Sequence, residues 1–135
     1  MSKWLLILSF FLTLGLWFFP EHPVTAGGSW DEEWIASLSK SDCKGIASGD
    51  KNYCESSDCK GIARKDANYC DTSDCKGVVK QDKNYCSSKL CKAWASGDYN
   101  YCESSDCKGI VKQDKNYCSS SQCKAIASGD KNYCQ

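Results

Sequence analysis

The sequence predicts a small, disulfide-rich all-α repeat array, and three observations carry that prediction. From residue 41 onward the chain writes nearly the same sixteen residues six times, in copies that begin at Ser41, Ser57, Ser73, Lys89, Ser105 and Ser121. Each copy holds two of the chain's 12 cysteines. Within a copy the apolar residues fall at helical spacing, as Cys43, Ile46 and Ala47 do at i, i+3 and i+4. A short, uninterrupted period makes each unit touch mainly its neighbours. The expected form is therefore a mini-solenoid of short helical hairpins, one per sixteen residues.

The elements follow in chain order. Met1-Ser2-Lys3 precedes an apolar run from Trp4 to Phe19, and Val24-Thr25-Ala26 has the small-residue pattern of a signal-peptidase site. Residues 1–26 thus read as a signal peptide, and the chain as secreted or periplasmic. The apolar run is shorter than the ~20 residues that cross a bilayer, so no stable membrane span is expected after cleavage. Residues 27–40 read as an N-terminal capping helix, with Ser29 and Glu32 at capping-box spacing and Trp30, Trp34 and Leu38 on one face. Its expected task is to cover the open apolar end of the first repeat.

Residues 41–135 hold the six repeats. In the first, Ser41-Asp42 are N-cap types, Gly49 is a helix stop, and Asp50 is a second N-cap ahead of a short turn from Lys51 to Ser56. The competing architecture is a disulfide-stapled β-solenoid with Gly, Asp and Asn at its corners. A repeat offers it only one or two β-branched residues and no alternation of period two.

The cysteines alternate at spacings of 11 and 5: Cys43, Cys54, Cys59, Cys70, Cys75, Cys86, Cys91, Cys102, Cys107, Cys118, Cys123 and Cys134. An even number in an exported chain reads as disulfides. Three pairings respect the repeat. Bridges within each repeat, beginning with Cys43–Cys54, use every thiol. Bridges across the short spacing, such as Cys54–Cys59, strand Cys43 and Cys134. Bridges between equivalent positions of paired repeats also use every thiol. The last copy stops directly after its second cysteine, which favours the within-repeat pairing. Each such bridge closes a loop of about a dozen residues and contributes roughly 3 kcal/mol by restricting the unfolded chain.

Six positions are identical in all copies: Cys, Lys, Asp, Asn, Tyr and Cys. The Tyr ladder (Tyr53, Tyr69, Tyr85, Tyr101, Tyr117, Tyr133) is expected in the core, its rings against the disulfides. The Asp ladder from Asp50 to Asp130 is expected to cap helices; its Asp-x-Asn lacks the Gly and bidentate Glu of a calcium loop. The Lys ladder from Lys44 to Lys124 reads as a solvated stripe, with the neighbouring repeat's acids as its available partners. Trp94, in place of Ile and near Tyr99, is the local oddity, read as a core variant. Segment KQDKNYCSS recurs at Lys80 and Lys112, the mark of a copied block.

Composition narrows the function classes. Without Lys3 and Glu21 the chain carries sixteen charges of each sign, so neither nucleic acid nor an anionic membrane is a natural partner. The single histidine, His22, lies in the leader, leaving no Ser-His or Cys-His pair, and no enzyme is expected. The expectation is a structural or interaction scaffold meeting a protein, a glycan or a surface, with no cofactor. Thiolate-based metal sequestration or redox buffering is the alternative, although the cysteines lack paired zinc knuckles.

Overall fold

The computed structural model describes residues 30–135, so the expected signal peptide and Ser29 lie outside the described residues. After α1 (Trp34–Ser37), each repeat supplies one short helix: α2 (Lys40–Ser48), α3 (Ser57–Arg64), α4 (Ser73–Lys80), α5 (Lys89–Ser96), α6 (Ser105–Lys112) and α7 (Ser121–Ser128). A three-residue 3₁₀ turn follows each of the six, the first being Lys51–Tyr53 and the last Lys131–Tyr133. The chain is a disulfide-rich helical repeat array, and the described residues contain no strand.

Helix starts sit one step earlier than Ser41-Asp42. Ser56, Thr72, Ser88, Ser104 and Ser120 cap α3 to α7, each accepting from the N–H of the cysteine three residues on. An N-cap needs extended backbone, and Ser56 has it (ψ 155°), whereas Asp42 is already inside α2. Asp42 serves the next repeat instead. Its carboxylate accepts from the N–H of Glu55 (2.7 Å) and Ser56 (3.2 Å) and from the Ser56 hydroxyl (2.6 Å), bracing the cap of α3. Asp58, Asp74 and Asp106 brace α4, α5 and α7 in the same manner.

Helix stops follow the sequence closely. Gly49, Gly97 and Gly129 adopt left-handed backbone at φ near 70°, with values of 70°, 72° and 71°. Asp50 and its equivalents then cap the 3₁₀ turns, each accepting from the N–H of the Asn two residues on. Glycine inside α2 has a separate cause. A Cβ on Gly45 would sit 2.3 Å from Cys54 Sγ and 2.8 Å from Cys59 Sγ, because the helix passes directly over the bridge.

The array closes on itself. α2 packs against α7 as it does against α3, and Cys43 is bonded to Cys134 with their Cα atoms 5.8 Å apart. Lys131 of the last repeat donates to the Tyr53 hydroxyl of the first (2.8 Å). Six repeats thus complete one turn of a ring, and no first-repeat end is left for a cap to cover.

The N-terminal segment lies across one face of that ring. The Trp30 N–H donates to Asp74 (2.9 Å) in the third repeat, and the Gln122 amide donates to the Leu38 carbonyl (3.4 Å) in the sixth. Trp30, Ile35 and Leu38 are buried, and Trp30 stacks on Trp34 with ring centroids 4.1 Å apart. Among the described residues ahead of α2 only Trp34–Ser37 is helical, with no side-chain cap, yet Trp30, Trp34 and Leu38 all face the core as their spacing predicts. No helix among the described residues is long and apolar enough to cross a membrane.

Candidate functional site: a tyrosine–lysine belt on a disulfide ring

The bridges do not run within repeats. They are Cys54–Cys59, Cys70–Cys75, Cys86–Cys91, Cys102–Cys107 and Cys118–Cys123, each joining one repeat to the next, plus Cys43–Cys134 across the closure. Cys43 and Cys134, stranded in an open array, are partners in a closed one. The physical reason lies in the turn. The 3₁₀ segment after each helix carries the second cysteine forward onto the neighbouring helix, where a small residue of its own helix, Gly45, Gly61, Gly77 or Gly109 in four repeats and Ala93 or Ala125 in the other two, leaves room for the sulfurs. All twelve cysteines are bonded, which suits an oxidising, extracellular setting.

This arrangement moves the tyrosines outward, contrary to the expected core. Tyr53, Tyr69, Tyr85 and Tyr117 are exposed, at 37 to 44%, while Tyr101 and Tyr133 are half-buried. The places beside the bridges are taken by glycine or alanine and by one larger side chain per repeat, and the 3₁₀ turns carry the phenol rings to the outer surface.

The tyrosines form a belt with lysines of the preceding repeat. Lys83 donates to the Tyr101 hydroxyl (3.1 Å), Lys115 to Tyr133 (2.8 Å) and, across the closure, Lys131 to Tyr53 (2.8 Å). These bonds hold the three ammonium groups above the ordinary lysine pKa, with the tyrosine hydrogen bond as the leading cause. Lys51 lies over the Tyr69 ring at 5.8 Å from its centroid. Two copies lack lysine at this step and are repaired locally. Ala67 leaves Tyr85 to Lys80, 4.5 Å over its ring, and Tyr99 shares Lys112 with Tyr117 at 4.1 and 5.0 Å. Tyr99 is the most exposed of these rings, at 46%.

Other expected features find different places. Among the described residues the ladder from Lys44 to Lys124 pairs with no acid, and the ion pair there is Lys89–Glu103. Trp94 is half-buried beside Trp30, with centroids 6.0 Å apart, and belongs to the core. Four Asp-Cys-Cys groups bring a carboxylate oxygen and two sulfurs within 4.8 Å: Asp42 with Cys54 and Cys59, and likewise around Asp58, Asp74 and Asp106. Their sulfurs are bonded to one another and their carboxylates already accept two or more hydrogen bonds, so thiolate chemistry there requires reduction first. Buried Asp74 is held below its ordinary pKa. Burial pushes it up, but hydrogen bonds from Ser88, Trp30 and Ser87 outweigh that and favour the anion.

Sequence reasoning missed the bracing carboxylates because Asp42 looks like a cap. The available signal was the copies that lack it, Leu90 in the fourth repeat and Gln122 in the sixth. Comparison of the chain with protein-family models, with curated proteins and with solved structures finds no match.

Proposed function

We propose that the mature chain is an exported, non-catalytic interaction scaffold whose working surface is the tyrosine–lysine belt. One observation carries this reading: exposed tyrosines recur around a ring stapled at every junction, each fixed by a lysine or arginine of a neighbouring element. Tyrosine presents a large amphipathic face at low entropic cost, and repetition around a ring multiplies weak contacts through effective concentration. A glycan or a protein surface with its own repeat is the partner this suits. Twelve bonded sulfurs favour the scaffold over metal sequestration, which needs thiolates.

The experiment is a thiol and metal count on protein isolated from its native compartment, followed by binding of wild type and a Tyr53→Ser, Tyr85→Ser, Tyr117→Ser variant to arrays of glycans and extracellular proteins. No free thiols, a mature start at Gly27 and selective loss of binding in the variant support the scaffold. Twelve thiols with bound metal, or unchanged binding, would replace it.

A further inference from the structure

Opposite the face covered by the N-terminal segment, the ring axis opens into a cavity of about 520 Å³. Its wall is a ladder of one residue per repeat, spaced by sixteen: Ile46, Ile62, Val78, Trp94, Ile110 and Ile126. A single cavity touching all six places that ladder on the axis, where its residues face one another, Ile46 and Ile110 buried and the other four half-buried. The volume lies within the range of small-ligand sites, with the apolar ladder inside and a more polar mouth.

The mouth carries a second ladder, the residue that ends each helix in left-handed backbone. Three of the six are glycine, the residue this conformation favours. The other three are Lys65 (φ 57°), Gln81 (φ 54°) and Gln113 (φ 53°), and all three line the cavity. These are the described non-glycine residues with positive φ, so every such strained position in the described fold sits at this mouth. Residues that glycine would replace at lower cost are retained there with polar, donor-bearing heads.

We propose that the axial cavity binds a small amphiphile with one alkyl chain and a carboxylate head, the chain against the Ile/Val/Trp ladder and the head at Lys65, Gln81 and Gln113. Among the described residues Lys65 is the sole charged one lining the cavity, and none of them that lines it is an acid. The two glutamines add amide donors. Two of the last four carbonyls of α3, α4 and α6 are satisfied locally, which reduces but does not cancel the negative helix ends that the Lys65 ammonium offsets. Lys65, Gln81 and Gln113 donate their N–H groups to Ile62, Val78 and Ile110, and the following aspartates donate to Gly61, Gly77 and Gly109. The site is separate from the outer belt.

The test is titration of the mature protein, below micelle concentrations, with decanoate, decanol and decyltrimethylammonium, read by tryptophan fluorescence and calorimetry. Decanoate is expected to bind saturably at one site and at least about tenfold more tightly than the cationic chain. In a Lys65→Gly, Gln81→Gly, Gln113→Gly variant that preference should vanish while the thermal midpoint stays level or rises, an outcome that a purely structural role of these side chains would not give. A Val78→Phe variant, narrowing the cavity, should weaken all three ligands. Absence of saturable binding, equal affinity for both charged chains, or a preference that survives the glycine substitutions would each overturn the proposal.

Discussion

Glu32 stands in for a carboxylate that Leu90 lacks. In four repeats an aspartate braces the cap of the following helix, but the fourth repeat has Leu90, fully buried, in its place. The cap it would have braced, Ser104, is bound by Glu32 from the N-terminal segment: Oε2 accepts from the Ser104 N–H (3.1 Å) and from its hydroxyl (2.6 Å). The segment is therefore keyed to one of six near-equivalent positions around the ring.

Removing that key should be costly. Glu32→Ala is expected to destabilise by about 2–3 kcal/mol, the scale of hydrogen bonds to a charged group. In a Leu90→Asp background the loss should shrink, because the ring then carries its own carboxylate. Urea denaturation of the four-member cycle measures the coupling; additivity would show that Glu32 does not fill the vacant role.

The six bridges are not of equal worth. Cys70–Cys75 joins residues 5 apart, whereas Cys43–Cys134 joins residues 91 apart. Loop-closure entropy assigns roughly 2 kcal/mol to the first and roughly 4–5 kcal/mol to the second. Replacing Cys43 and Cys134 by alanine should thus lower the thermal midpoint clearly more than replacing Cys70 and Cys75, and should enlarge the hydrodynamic radius. Equal losses would argue against closure.

Acid should release the N-terminal segment through Asp74. Its pKa is lowered on folding, so its contribution is complete above the ordinary carboxylate value and is lost as pH falls through the folded one. Tryptophan fluorescence should hold steady from neutral pH to about pH 4 and then change as Trp30 detaches. Asp74→Asn should be weaker at neutral pH and lack that step.

The left-handed helix ends supply a matched pair of substitutions. Gly49→Ala places a Cβ at φ 70° and should cost about 1 kcal/mol or more. Gln81→Gly removes one at φ 54° and should be neutral or stabilising. Both are read by thermal unfolding, and a stabilising Gly49→Ala or a destabilising Gln81→Gly would contradict the backbone argument.

Local features were legible because local chemistry decides them. Gly49 marks a stop through its own φ, and Asp50 caps through a bond only two residues long. The bridges and the tyrosines were not, because both depend on the angle between successive helices, which no single repeat states. Cys43 and Cys134 look stranded until the curvature brings them together, and Tyr53 looks like core until its 3₁₀ turn is placed on the outside of the ring. Asp42 was misplaced for a related reason, since its partners lie in the next copy.

Closure also makes copy number a quantised property. An open solenoid can gain or lose a unit at its end and keep every remaining junction. Here a fifth-repeat deletion or a seventh-repeat insertion would break the register between Cys134 and Cys43, between Lys131 and Tyr53, and between Glu32 and Ser104 together. At this curvature six copies bring the first and the sixth repeat together as neighbours.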